Sequence, residues 1–167
     1  MKTIFHSVIW ICLAIGISTQ NSYGQSFLYS KYQDLEGNYV TIDEVKGETL
    51  TILDFWATWC KPCVKSIPEN VKIASEYESA GLKFIGINED SPRNLSKVRP
   101  FANSLNIDYQ VILDPDQDLM TELSVSVLPT LIIFDKNGKV LYTHEGYITG
   151  DEDIIRQKIE ELLSDVD

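Results

Sequence analysis

Residues 50–63 read LTILDFWATWCKPC, an apolar run that ends in two cysteines three positions apart. Its first half, Leu50–Trp56, is rich in β-branched, aromatic and leucine side chains, as is typical of a strand buried on both faces. Pro62 lies between Cys60 and Cys63, and proline is tolerated in the first turn of a helix, where its missing N–H would have no intrahelical partner. The stretch predicts a buried strand that leads directly into a helix, with the cysteines at the junction.

The residues after the cysteines predict a second interior strand, Lys83–Asn88, parallel to the first. Between the two strands, residues 65–80 carry apolar side chains close to helical spacing, and Gly81 supplies a stop signal. A strand, a helix and a strand in this order predict a βαβ unit.

The remainder of the chain continues to alternate between helix and strand patterns. The predicted elements are a helix over residues 92–105, a strand over 109–113, a helix over 117–123, a hairpin of strands 130–134 and 139–144, and an amphipathic helix over 151–163. The sequence contains no repeat, low-complexity block or interdomain linker. We therefore expect one α/β domain with a single sizeable core.

The N-terminal end has the pattern of a signal peptide. Lys2 precedes an uncharged, apolar run over residues 4–17, which at about 14 residues is shorter than the roughly 20 that a bilayer-spanning helix needs. Ser22 and Gly24 are small residues at the −3 and −1 positions of a cleavage site. We expect residues 1–24 to be the signal peptide and residues 25–167 the mature domain, with an uncleaved membrane anchor as the alternative.

Charge and cysteine content limit the classes of partner. The chain has 25 acidic and 14 basic residues, a net charge of −11, which disfavours nucleic acid as a partner. Cys12 lies inside the apolar leader and is expected to leave with it. The mature chain then holds only Cys60 and Cys63, in a compartment that an exported protein would find oxidising.

Three roles can be weighed for the cysteine pair. A structural zinc site needs four ligands, whereas this pair supplies two, and the one mature histidine, His144, is far along the chain. A structural disulfide across so short a loop would stabilise the fold little. Redox chemistry suits the spacing, because a sulfur at a helix N-terminus is favoured as thiolate and the second sulfur lies one turn away. We expect Cys60 to attack and Cys63 to resolve.

The sequence resembles the TlpA/ResA-like branch of the thioredoxin-fold thiol–disulfide oxidoreductases, a group related to the redoxins. The resemblance covers residues 31–166. Its markers are DLEGNYVTIDEVKGETLTILDFWATWCKPC (34–63), Pro68, VLPT (127–130) and FDKNGKVLYTHEG (134–146). The resemblance implies a central mixed sheet flanked by helices, with an insertion over about residues 91–123 between the two halves. It also implies a redox-active disulfide as the only reactive group, without cofactor or metal.

The resemblance also implies a substrate-docking surface around the cysteines. Pro129 would be cis and lie against the CxxC pair, leaving backbone groups of Leu128 free to pair with a substrate strand. Trp59 would form a wall of the surface, next to Lys61 and Pro62. The alternative for Pro129 is an exposed turn residue, and Trp56 is expected in the core.

Asp54 is a carboxylate within an apolar strand, which is costly unless it has a function or partners. It lies six residues before Cys60, where thioredoxins place a buried acid, and burial would raise its pKa so that it can exchange a proton with Cys63. The alternative is an aspartate that reaches solvent at the strand edge. Many ResA-like proteins carry a glutamate where this chain has Ser66, and the lysine near the thioredoxin acid aligns with Gly86.

Two other functions remain open at this stage. Peroxiredoxin-type peroxidases share the fold and the insertion, but their P-x-x-x-T-x-x-C motif would need proline and threonine where Leu53 and Ala57 stand. Copper chaperones of the Sco type use C-x-x-x-C with a matched histidine. Both differ from the present motif.

The resemblance gives the expected partners and the direction of electron flow. The Lys-Pro between the cysteines is more like the Gly-Pro of reducing members than the Pro-His of DsbA-like oxidants, so we expect a protein-disulfide reductase. A periplasmic monomer is expected, with a membrane electron donor and protein disulfides, apocytochrome c among them, as substrates. Cytochrome c maturation and cell redox homeostasis are the corresponding processes.

Overall fold

The computed structural model describes residues 26–165, which form a seven-stranded mixed sheet flanked by helices. In chain order the elements are α1 Ser26–Tyr29, β1 Lys31–Asp34, β2 Tyr39–Thr41, α2 Ile42–Val45, β3 Leu50–Trp56, α3 Lys61–Tyr77, β4 Lys83–Asn88, α4 Leu95–Ser104, β5 Gln110–Leu113, α5 Asp118–Glu122, β6 Thr130–Asp135, β7 Val140–Glu145 and α6 Asp151–Ser164. The signal peptide predicted for residues 1–24 lies outside this range. Among the helices described, none has the length and apolar character to cross a bilayer.

The centre of the sheet is β3, whose seven residues are all buried. The sheet order is β2-β1-β5-β4-β3-β6-β7, so β3 has a neighbour on each side. It runs parallel to β4 and antiparallel to β6, with Asp54 opposite Gly86 on one side and Leu131 on the other. The prediction of two interior parallel strands is confirmed, and the sheet is mixed, as expected.

The βαβ unit around the cysteines is also confirmed. Helix α3 begins at Lys61, four residues earlier than the sequence pattern suggested, with Cys60 as its N-cap. A short 3-10 turn, Glu78–Ala80, follows the helix. Gly81 ends it with φ of 79°, a left-handed conformation that glycine adopts without steric cost. The turn returns the chain to β4.

Successive residues of β3 face opposite layers of the core, as the two-residue period of a strand requires. Leu53 and Phe55 pack with Phe27 of α1 and Phe134 of β6. The even-numbered residues face the other layer, where Ile52 packs with apolar residues of α3 and α6. Asp54 has the same parity as Ile52, which directs its side chain toward α3.

The second half follows the predicted order with small differences in length. The helix predicted over residues 92–105 is a 3-10 turn, Pro92–Asn94, followed by α4. Strand β5 begins at Gln110 rather than at Tyr109, because its pairing with β4 begins at Gln110. The hairpin of β6 and β7 and the C-terminal helix α6 agree with the prediction.

The antiparallel hairpin of β1 and β2 and the one-turn helices around it were not predicted. Both strands are short, and β1 alternates exposed and buried residues. Such strands are held by the sheet edge they join, here β5, whose Leu113 and Ile112 pair with Gln33 and Asp34. Their own sequence carries too short a pattern to identify them.

Candidate active site

Cys60 and Cys63 form a disulfide at the N-terminus of α3. Cys60 is the N-cap residue, and its Sγ accepts a hydrogen bond of 3.2 Å from the backbone N–H of Cys63. Cys60 is 4% exposed and Cys63 is fully buried. A sulfur that already accepts a backbone N–H at a helix N-terminus is in the position that favours a thiolate after reduction. The geometry therefore favours Cys60 as the attacking sulfur.

A polar cluster at the end of β4 fixes the loop that carries Cys60. The Asp90 carboxylate accepts hydrogen bonds from the backbone N–H and the hydroxyl of Thr58, each at 2.7 Å, and from the Asn88 amide at 2.9 Å. The backbone N–H of Glu89 donates to the carbonyl of Trp56. The loop is thus tied to the neighbouring strand on the N-terminal side of Cys60.

The two tryptophans of the motif have different environments. Trp56 is fully buried and stacks on Phe101 at 5.6 Å between ring centroids, which confirms the prediction that it belongs to the core. Trp59 is 61% exposed beside Cys60. Lys61 and Pro62 are exposed on the first turn of α3. The structure therefore presents an apolar ring and a cation next to the disulfide.

The Leu128–Pro129 peptide bond is cis, as the resemblance implied. Pro129 is buried, so the alternative of an exposed turn residue is wrong. The Thr130 hydroxyl donates to the carbonyl of Val127 at 2.7 Å and closes the loop around the cis bond. Leu128 packs against the cluster that contains both cysteines and lies outside the paired part of β6, which begins at Thr130.

Asp54 is completely buried, so the alternative of a solvent-reaching aspartate is wrong. Its Oδ2 accepts hydrogen bonds of 3.0 Å from the Asn70 amide and 3.0 Å from the Tyr109 hydroxyl. Its Oδ1 has no hydrogen-bond partner among the described residues. Burial raises the pKa of Asp54 to about 6, and the two hydrogen bonds act in the opposite direction. The carboxyl can therefore change its protonation state near neutral pH.

The Asp54 carboxyl of β3 lies under the face of α3 that carries Cys63. Cys63, Ser66 and Asn70 are buried and follow one another at spacings of three and four residues. Asn70 donates to Asp54, and the Ser66 hydroxyl donates to the Cys63 carbonyl at 3.3 Å. Ser66 thus bonds to the helix backbone and brings no second acid to this face.

The sequence alone did not identify Asn70 or Tyr109 as site residues. Asn70 had a signal that could have been used, because it is a polar residue seven positions after Cys63 on the apolar stripe of a helix. Tyr109 had none, because its contact with Asp54 depends on how β5 is ordered in the sheet.

His144 lies on strand β7. Its Nε2 lies 3.1 Å from the Asp151 carboxylate, and it connects β7 to the first turn of α6. Over residues 26–165 no group of three or more His, Cys, Asp or Glu side chains is placed to hold a metal ion. The chemistry that this site offers is that of the disulfide and the carboxyl.

Known proteins resemble this chain along most of its length. The family model described as Redoxin matches residues 22–159. The thiol-disulfide oxidoreductase ResA of Geobacillus thermodenitrificans is 30% identical over 129 residues, which cover 77% of this chain and 71% of that protein. The ResA of Halalkalibacterium halodurans is 27% identical over 131 residues, covering 78% and 69%.

Solved structures extend the comparison to the fold. A candidate thiol:disulfide interchange protein DsbE from Chlorobium tepidum superposes with a TM-score of 0.73 at 28% identity, covering 80% of this chain and 92% of that one. The mixed sheet flanked by helices and this superposition confirm the thioredoxin-like fold predicted from the sequence.

We expect Asp54→Asn to stabilise the oxidised protein near neutral pH. The pKa of Asp54 is raised in the folded state, so folding favours the protonated form and wild type loses stability as pH rises from about 4 to about 6. Above that range the loss levels off at no more than about 3 kcal/mol. Asparagine keeps the shape and removes this pH-dependent loss. Urea unfolding followed by circular dichroism at pH 5 to 8 measures the difference.

Asp116→Asn is the control for this measurement, because Asp116 is exposed. Its free energy of unfolding should follow wild type across the pH range. If Asp54→Asn were no more stable than wild type at pH 7 to 8, the carboxyl would not be held with a raised pKa.

Proposed function

The chain belongs to the redoxin family and is a thiol–disulfide oxidoreductase, and from that premise we propose that it is an exported protein-disulfide reductase. The observation that carries the proposal is the position of Cys60 as N-cap of α3, with its sulfur accepting the N–H of Cys63. The proposal assigns the catalytic roles to Cys60, Cys63 and Asp54.

The reaction begins from the reduced enzyme. The Cys60 thiolate attacks a sulfur of the substrate disulfide, forms a mixed disulfide and releases one substrate thiolate, which takes up a proton. Cys63 then loses its proton and attacks the Cys60 sulfur, which releases the second substrate thiol. The substrate gains two electrons and two protons, and the enzyme is left with the Cys60–Cys63 disulfide.

The substrate would dock on the surface formed by Trp59, Lys61, Pro62, Leu128 and Pro129. The exposed Trp59 ring supplies apolar contact area, and the backbone of Leu128 lies outside the paired sheet, where an extended substrate segment can add as a strand. A peptide disulfide brought along this edge would approach Cys60 first.

Export and electron flow rest on the sequence. The leader predicted over residues 1–24 and the cysteine-poor mature domain over residues 25–167 support an exported, periplasmic protein. The Lys-Pro pair between the cysteines supports the reductase direction. Electrons would then come from a membrane donor and pass to protein disulfides, apocytochrome c among them.

The two other functions have less support from the site. Leu53 and Ala57 are buried apolar residues, so neither can supply the hydroxyl that the peroxidase motif places before its cysteine. The one histidine of the described residues is engaged with Asp151, which leaves copper without the expected imidazole. No observation favours either over disulfide exchange.

Three assays on the same purified mature chain separate these functions. We expect catalysed reduction of insulin disulfides, no peroxide consumption above the rate of free thiol, and no stoichiometric copper binding. The reduction potential of the Cys60–Cys63 pair should lie at roughly −270 to −200 mV, toward the thioredoxin end of the family range. A potential near the roughly −120 mV of DsbA would instead indicate an oxidase.

The two cysteines should behave differently when tested singly. Cys63→Ser should accumulate mixed disulfides with substrate, because the attacking sulfur remains and the resolving sulfur is gone. Cys60→Ser should accumulate none. In reduced wild type, iodoacetamide should label Cys60 faster at neutral pH, because it is less buried and hydrogen-bonded at the helix N-terminus. Equal labelling rates would argue against the assignment.

Asp54 should act on the second half of the reaction. Once Cys60 is tied up in a mixed disulfide, Cys63 must lose a proton in a poorly solvated site, and the Asp54 carboxylate can accept it through a water. In Asp54→Asn, mixed-disulfide formation should keep its rate while resolution slows by about 10²-fold or more. Single-turnover kinetics at pH 5 to 9 measure both steps. Identical resolution rates would make Asp54 a purely structural residue.

A further inference from the structure

Tyr109 reaches the buried carboxyl from two strands away. It lies immediately before β5, and the sheet order places β4 between β5 and β3. Its hydroxyl nevertheless donates to Asp54 Oδ2 at 3.0 Å. The side chain must therefore cross β4 to arrive there.

Gly86 of β4 is the residue that makes this crossing possible. It pairs with Asp54 on one side and with Val111 on the other. A Cβ atom at position 86 would lie 3.3 Å from Tyr109 Cε2 and 2.9 Å from Trp56 Nε1. Any side chain there would displace the phenol ring or the indole. Gly86 thus leaves the space through which the Tyr109 side chain reaches the Asp54 carboxyl.

Tyr109 is partly exposed. It lines a groove of about 340 Å³ together with Phe84, Lys83 and Asp108. Asp54, by contrast, is fully buried and does not line the groove. Tyr109 therefore borders both the groove and the carboxyl, with its hydroxyl at Oδ2.

We propose that Tyr109 is a positioning residue for Asp54 in the resolution step. Its hydroxyl and the Asn70 amide hold Oδ2, which leaves Oδ1 as the oxygen that takes the Cys63 proton, and its ring keeps groove water from the carboxyl. This inference rests on the proposed function. In the step, the Cys63 proton passes through a water to Asp54, the new thiolate attacks the Cys60 sulfur, and the substrate thiolate leaves and takes a proton from solvent.

Other ionisable groups near the site can be separated from Asp54. Burial and the adjacent Asp54 raise the pKa of Tyr109 well above its ordinary value, so the phenol keeps its proton. Burial and Asp114 raise the pKa of Glu89 to about 9, outside the acid range in which Asp54 titrates. Asp108 is exposed at the groove, and Lys83 pairs with Glu78. Cys60 and Cys63 are the reacting groups themselves.

Two variants of Tyr109 should move the pH dependence in opposite directions. Tyr109→Phe keeps the ring and removes the hydrogen bond that favours the carboxylate, so the midpoint of the resolution rate against pH should rise by about one unit. Tyr109→Ala opens the carboxyl to groove water, which relieves the burial that raises its pKa, so the midpoint should fall. A residue that merely filled space would not give opposite shifts.

The matched control is Tyr77→Phe, because the Tyr77 hydroxyl donates to Glu160 and has no contact with Asp54. Its midpoint should equal that of wild type. In an Asp54→Asn background, Tyr109→Phe should cause no further change in the pH profile, since the group it acts on is gone. If Tyr109→Ala does not fold, Tyr109→Phe alone decides.

A second readout separates failure of this inference from failure of the proposed function. Carbon-13 NMR of the Asp54 carboxyl in the oxidised protein follows its titration without any turnover, and the midpoints should shift in the same opposite senses in the two Tyr109 variants. Unchanged titration in Tyr109→Phe, or shifts of both variants in one direction, would overturn the role of Tyr109. Normal NMR shifts without insulin reduction by wild type would instead overturn the reductase function.

Discussion

The burial of β3 on both edges and both faces is the constraint on which the other elements depend. A strand with no exposed residue needs a hydrogen-bonded neighbour on each side and an apolar layer above and below. Strands β4 and β6 supply the first, and packing against α1, α3 and α6 supplies the second. Because β3 ends at Trp56 in the middle of the sheet, the residues that follow it emerge beside the end of β4 and the loop before β6. Cys60 and Leu128 meet there in one apolar cluster.

A carboxyl in the middle of such a strand is the costly feature of this arrangement. Transfer of an ionised group to an apolar interior is so unfavourable that the group shifts its pKa instead, as Asp54 does. Two donors on one oxygen reduce the cost without abolishing it. An uncharged side chain of the same shape would cost less folding free energy. An acid at this position, despite its cost, is what we expect if the carboxyl serves proton transfer.

The sequence predicted those elements whose own pattern is long enough to define them. The runs of β3, β4 and β6 are mostly apolar and buried, and the helical pattern of α3 is ended by a glycine that the structure shows in a left-handed conformation. The β1–β2 hairpin was not predicted, because strands of three or four residues carry little sequence pattern and this hairpin is held by its pairing with β5. Tyr109 was not identified from the sequence for a related reason. Its hydrogen bond to Asp54 is made across an intervening strand, so no local residue spacing indicates it.

The placement of the two sulfurs and the acid suggests how the redox balance is set. A disulfide across one helical turn closes too short a loop to stabilise the fold much, so the electrostatics of the reduced state govern its potential. The N–H that Cys60 accepts at the N-terminus of α3 stabilises a thiolate and makes the pair more oxidising. An ionised carboxyl beneath the same helix would oppose a thiolate and make the pair more reducing. The two effects act in opposite directions, and because burial keeps Asp54 protonated up to about pH 6, the second effect grows as pH rises through that value. A pair balanced in this way would be less oxidising than the strong oxidants of the fold, as the proposed reductase needs.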